Sequence, residues 1–245
     1  MRFTAETTSD GVTERLFTLG DITGALWSPA DAAGDRPLVL LGHGGGQHKK
    51  APPLVTRARH YVTVCGFTVA AIDVPGYGDR PRLELDQKLT PALRRRVASG
   101  QQVDPEITRG MAERAAKAVA EWQTTLDALQ DLDGIGTGGP VGFWGVSLGS
   151  SIGVPFVAAE PRITAAVFGL TSHRSVGEAA GRVTIPVEFV LQWDDELVPR
   201  ESGLRVFDAF GSQEKTLHAN PGPHSAVPPF ELESSARFFL RHLVK

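Results

Sequence analysis

Gly145-Val146-Ser147-Leu148-Gly149 sits between two different kinds of neighbour. Before it, Val141-Gly142-Phe143-Trp144 is a short apolar run that reads as a buried strand. After it, Ser150-Ser151-Ile152-Gly153-Val154 is a run of small residues able to open a helix packed close on a sheet. Strand, sharp turn and helix with serine at the apex predict a strained turn that lifts the Ser147 hydroxyl above the strand's carboxyl end. Side chains two positions to either side would collide in such a turn, which is why both are glycine. The Leu148 amide then falls at a helix N-terminus, free to donate to an anion.

Upstream, Arg15–Leu19 and Thr23–Trp27 read as strands joined by a hairpin at Gly20-Asp21. Pro29 to Asp35 is a polar loop. The apolar run 36–41 is a strand buried on both faces that ends at His43-Gly44-Gly45-Gly46. Pro52-Pro53 opens a helix that reaches Cys65 and is capped by Gly66. Phe67–Ile72 is the next strand, followed by the turn-rich loop Asp73 to Arg80. Residues 81 to 103 lack clean periodicity and suit a small helical insert near the site mouth. Asp104-Pro105 opens a long amphipathic helix with its apolar stripe on Met111, Ala115, Val119, Trp122, Leu126 and Leu129. Gly134 to Gly139 leads from it into the strand before Ser147. Downstream, strands at Ile163–Phe168, Val187–Trp193 and Lys215–Ala219 alternate with helices over Glu201–Phe210 and Phe230–Leu243. The alternation predicts an α/β protein with a mostly parallel, doubly wound sheet of about eight strands and helices on both faces. With no repeat and no linker, a single domain over 1–245 is expected.

Composition narrows the function classes. Hydrophobic content is 41%, charged content 22% and formal net charge -3 over 245 residues. No basic block exceeds Arg94-Arg95-Arg96, which argues against nucleic acid as the main partner. Met1 to Glu6 has no apolar core of a secretion signal, and no apolar run approaches membrane-spanning length, so no membrane association is expected. The single cysteine, Cys65, fits a reducing cytoplasm.

Four loops at strand carboxyl ends carry the reactive side chains, and in such sheets the ligand crevice lies at those ends. They hold Ser147, the carboxylates of Trp193-Asp194-Asp195-Glu196, the imidazole of Pro221-Gly222-Pro223-His224, and the glycines after His43. The combination suits acyl transfer. A base must take the serine proton, and His224 can do so and later protonate the leaving group. A carboxylate fixes the imidazole tautomer. The Leu148 amide, with a glycine amide at Gly44 or Gly45, would meet the tetrahedral oxyanion.

These motifs resemble those of the α/β-hydrolases, in the serine esterase or dienelactone hydrolase-like part of the superfamily. The order Ser147, Asp195, His224 matches the superfamily's order. His43-Gly44-Gly45-Gly46 resembles its oxyanion loop, Asp195-x-x-Val198-Pro199 its acid motif and Gly222-Pro223-His224 its base motif. The loop Asp73-x-Pro75-Gly76-x-Gly78-x-Arg80 is similar to the one after its next strand. The resemblance spans about Arg36 to the C-terminus. It implies the α/β-hydrolase fold, and the spacing to Val198-Pro199 favours Asp195 over Asp194 as the acid. The stretch between Phe168 and Pro186 leaves no room for a large lid. Dienelactone hydrolases proper use a cysteine nucleophile, and serine here moves the expectation to ordinary ester hydrolysis.

The resulting expectation is a cofactor-independent serine hydrolase acting on a small carboxylic ester or thioester, with no metal. An acyltransferase or peptidase using the same residues, and a non-catalytic binding protein that kept the fold, are the alternatives. Asp194 is expected to hold its turn. His43, Trp193 and His173 are candidate pocket residues, with a hydrogen-bonding role for His43 as the competing reading. His48, Lys49 and Lys50 are expected to be solvated, and Arg80 to pair with a carboxylate.

Overall fold

The computed structural model describes residues 1–245 except 32, 33, 100, 136, 137 and 245. The expected loops at Pro29 to Asp35 and Gly134 to Gly139, and the expected insert at 81 to 103, therefore each include positions outside the described residues. Among the described residues, nine strands form one sheet: β1 (Arg2–Ser9), β2 (Val12–Leu19), β3 (Ile22–Pro29), β4 (Leu38–Gly42), β5 (Thr68–Ile72), β6 (Val141–Gly145), β7 (Ile163–Gly169), β8 (Val187–Gln192) and β9 (Lys215–Asn220). Their order is β1-β2-β3-β5-β4-β6-β7-β8-β9. The pairs β1–β2, β2–β3 and β3–β5 are antiparallel, and every pair from β5–β4 to β8–β9 is parallel. The sheet is thus one strand larger than expected. The addition is β1, whose side chains are all exposed and which carries no buried face to betray it.

Helices cover both faces, as the alternation of strands and helices requires. On one face α1 (Pro52–Cys65) and α8 (Phe230–Leu243) bury Leu54, Tyr61, Ala236 and Phe239 against Val39, Leu41 and Val69 of the sheet. On the other, α4 (Pro105–Gln130), α5 (Leu148–Ala159), α6 (His173–Ala180) and α7 (Arg200–Ala209) enclose a core that includes Trp122, Phe143, Phe156, Phe168 and Phe210. The insert forms two short helices, α2 (Glu84–Lys88) and α3 (Pro91–Ala98). Asp86 of α2 pairs with Arg114 of α4, and Lys88 pairs with Glu106 at 2.7 Å. The stretch after β7 holds only the eight-residue α6, so no large lid covers the sheet's edge there. Among the described residues, no helix is long and apolar enough to cross a membrane.

This topology positions the site. From β4 the chain crosses through α1 to β5 on one side. From β5 it crosses through α4, on the opposite face, to β6 on the other side of β4. Adjacent strands whose connections leave in opposite directions open a crevice at their carboxyl ends. Gly42 is in register with Gly145, so the glycine loop and the Ser147 turn stand side by side at that crevice.

Candidate active site

Ser147 has φ 58° and ψ -119°, a conformation that costs a non-glycine residue about 1–3 kcal/mol and persists only where its surroundings enforce it. Its amide donates to the Gly169 carbonyl at 2.9 Å. The buried Ser150 hydroxyl lies 2.6 Å from the Gly145 carbonyl and 2.8 Å from that of Gly169, tying both strand ends to the helix that follows. The flanking glycines are required by close approach. A Cβ on Gly145 would stand 2.8 Å from the Gly149 carbonyl carbon, and one on Gly149 would stand 2.4 Å from the Gly42 oxygen.

The turn after β9 brings His224 over this serine. Its Nε2 is 3.0 Å from Ser147 Oγ, and its Nδ1 is 2.7 Å from Asp195 Oδ2. A carboxylate can only accept, so Nδ1 carries the proton and Nε2 is left to accept from the serine hydroxyl. Asp195 is held in turn: its Oδ1 accepts from the amides of Leu197 and Val198, both at 2.8 Å. The Asp195 side chain is 2% exposed and that of His224 13%, so the pair is shielded while the serine side stays reachable. Asp194 faces away, and its Oδ2 accepts from the Gly222 amide at 2.9 Å. Glu196, which the sequence did not single out, accepts from the His224 amide at 2.9 Å. Two neighbouring carboxylates of one loop therefore fix the backbone of the loop that bears the imidazole.

The Leu148 amide lies at the first turn of α5, where helix amides lack internal partners. Across from it, the Gly44 amide donates to Gln47 Oε1 at 3.2 Å. Gly45 is exposed, with open space where its side chain would be. His43 is fully buried. Its Nε2 accepts from the Val74 amide at 3.1 Å, so Nδ1 is the protonated nitrogen and donates to the Gly44 carbonyl at 2.9 Å. Burial holds its pKa below the ordinary histidine value, against the pull of that carbonyl and of Asp73. His43 is therefore a buried, neutral strut behind the loop. Trp193 is 47% exposed, with the Arg200 guanidinium over its ring at 4.3 Å. His173 begins α6 and folds its ring over Gly177, where a Cβ would come within 2.5 Å of it.

Lys49 departs most from expectation. Expected in solvent, it is buried, its Nζ 2.6 Å from both Asp73 and Asp79. Asp73 also accepts from the Lys49 amide, the Thr23 hydroxyl and the Asp79 amide. Burial alone would raise its pKa, but the Lys49 ammonium and these donors bring it below the usual carboxylate value. Lys50 also has a partner, Glu14 at 2.5 Å. Arg80 pairs with Glu121 through two contacts of 2.5 and 2.9 Å. The sequence marks only the Asp73 end of this clamp, a carboxylate placed directly after a buried strand, and not its pairing with Lys49.

Comparison with known proteins finds esterases among the solved structures. No protein-family model matches the chain, and no curated protein matches it. Among solved structures, it is similar to a cold-adapted esterase from an Arctic intertidal metagenomic library in a polyethylene glycol-bound complex. Identity is 34% over 99% of this chain and 100% of that one, with a TM-score of 0.82. The zinc-bound structure of that esterase matches at 31% identity over the same shares of the two chains, with a TM-score of 0.75. At the level of fold alone, an acetyl xylan esterase from Paenibacillus sp. R4 matches with a TM-score of 0.73. Its identity is 13%, over 99% of this chain and 88% of that one.

Proposed function

The chain belongs to the α/β-hydrolase esterases, and from that premise we propose that it hydrolyses small carboxylic esters through an acyl-Ser147 intermediate. The observation that carries this reading is the unbroken relay from Ser147 Oγ through both nitrogens of His224 to Asp195. In the first half-reaction His224 Nε2 takes the serine proton as Oγ bonds to the ester carbonyl carbon. Asp195 stabilises the imidazolium that forms. The carbonyl oxygen becomes an oxyanion, met by the Leu148 amide and by that of Gly45, since the Gly44 amide already serves Gln47. Collapse breaks the carbon–alkoxide bond, and the imidazolium returns its proton to the departing alcohol. Water then repeats the sequence against the acyl-serine, releasing the acid and restoring the hydroxyl. With only α6 following β7, short acyl chains are the preferred substrates and interfacial activation is weak. The single cysteine is compatible with action in a reducing cytoplasm.

A fluorophosphonate probe and a series of p-nitrophenyl esters from short to long acyl chains test the proposal. Covalent labelling at Ser147 and fastest turnover of the short esters are expected. Ser147→Ala should lower kcat by about 10⁴-fold or more while leaving KM little changed. Folded protein that neither labels nor turns over any ester would overturn the reading, as would a Ser147→Ala variant that keeps most of its activity.

A further inference from the structure

On the face of the sheet covered by α1 and α8, three side chains far apart in sequence converge. Glu188 on β8, His218 on β9 and Glu231 in the first turn of α8 each offer a ligand atom, all within 4.8 Å of one another. Strand register explains the meeting. His218 is opposite Val190 and Thr216 is opposite Glu188, so Glu188 and His218 are diagonal neighbours on one face. Both carboxylates are buried, while part of the imidazole, at 24% exposure, reaches solvent.

Internal hydrogen bonds do not satisfy the cluster. Glu231 is well held, by His218 Nδ1 at 2.9 Å and by the Asn220 amide group at 2.8 Å. Glu188 is not. Its Oε1 is buried without a hydrogen-bond partner among the described residues, and its Oε2 has only the Ser234 hydroxyl, at 3.4 Å. His218 Nε2 stands 3.7 Å from that Oε2, beyond hydrogen-bond range. A tetrahedral ion with bonds of about 2.0–2.1 Å holds its ligand atoms roughly 3.4 Å apart, close to this gap. A buried carboxylate lacking a full partner carries a large desolvation cost, and burial first, then the neighbouring Glu231, push the Glu188 carboxyl up against the pull of His218.

We propose that Glu188, His218 and Glu231 form a site for a divalent transition-metal ion of the zinc type, apart from the Ser147 centre. Glu188 and His218 Nε2 bind the ion directly. Glu231 stands behind the ring and fixes it through Nδ1, the arrangement in which a ligating imidazole is oriented by a carboxylate, and water fills the ion's remaining positions. A ligating imidazole beside a carboxylate favours zinc, cobalt or manganese over calcium or magnesium. The ion would be structural. It joins β8, β9 and α8 beneath Asn220, the residue at which β9 gives way to the turn bearing His224.

The test is calorimetric titration of zinc chloride into chelator-treated wild-type protein, with Co²⁺ as a second probe. One equivalent of Zn²⁺ per chain should bind and raise Tm by several degrees. Co²⁺ should give visible d–d bands without thiolate charge transfer. His224→Ala should keep this binding, which excludes the imidazole beside Ser147 as the ligand. Glu188→Gln and His218→Asn should lose it by 100-fold or more. No stoichiometric uptake by folded wild type, or uptake that survives His218→Asn, overturns the proposal. If both cluster variants fail to fold, the wild-type Co²⁺ spectrum decides, and absence of the bands is the negative result.

Discussion

Asp194 and Asp195 are adjacent, chemically identical and both buttress the His224 loop, yet their substitutions should differ sharply. Asp195 binds the imidazole itself at 2.7 Å, whereas Asp194 binds the Gly222 amide at 2.9 Å. Asp195→Asn places an amide where only an acceptor keeps Nε2 free, and kcat should fall by about 10⁴-fold with the fold intact. Asp194→Asn retains a carbonyl oxygen able to accept from the Gly222 amide, and should cost about tenfold through loop misplacement. Steady-state kinetics on both variants with parallel thermal unfolding decide between them, and the reverse ranking would exchange their roles. Much of this was legible in the sequence, because strand–turn–helix context and residue type are local. The role of Lys49 was not, since its partners Asp73 and Asp79 come from another loop and only the fold brings them to it. Gln47 and Glu196 escaped for a related reason: each binds a backbone amide, and an amide leaves no residue-type signature.

Among elements, periodicity decided what could be read. The strands β4, β5, β6 and β8 are wholly buried and appear as apolar runs, and α4 shows its stripe because one face packs on the core. β1 shows neither pattern, because it pairs at the sheet's edge with every side chain exposed. The loops after β4 and β5 present a different case, since a buried ion pair joins them to each other. Lys49→Met would leave the Asp73 carboxylate buried with only neutral donors, a change expected to cost about 3 kcal/mol at neutral pH. The native pair holds the Asp73 pKa below its unfolded value. Its contribution is therefore fully present above about pH 4 and is lost as pH falls through the folded value. The deficit of Lys49→Met relative to wild type should accordingly narrow in acid. Urea unfolding of both proteins at pH 7 and at pH 3, inside that window, measures this, and a deficit that is constant with pH would mean that the ion pair is not its source.

At the scale of the whole molecule, the same linkage predicts how stability responds to mild acid. Three histidines have pKa values held below the ordinary one: His43, His60 and His242, each through burial first. A histidine whose folded pKa lies below its unfolded value of about 6.5 stabilises the native state above that value, and this contribution is lost as pH falls toward the folded value. In the metal-free protein Glu188 acts in the opposite sense, because its raised pKa contributes stability that is present in acid and lost as pH rises. His43 should dominate the balance. It is the most deeply buried of the three, and protonation would set a second N–H against the Val74 amide that Nε2 now accepts from. Tm should therefore fall as pH is lowered from 7.5 to 5.5, before any carboxylate with an ordinary pKa titrates. His43→Gln removes the titrating group from between the two loops. Its Tm will be lower at pH 7.5, but its dependence on pH across that range should be visibly flatter. Calorimetric scans at half-unit intervals compare the slopes, and equal slopes in wild type and variant would assign the acid sensitivity to a group other than His43.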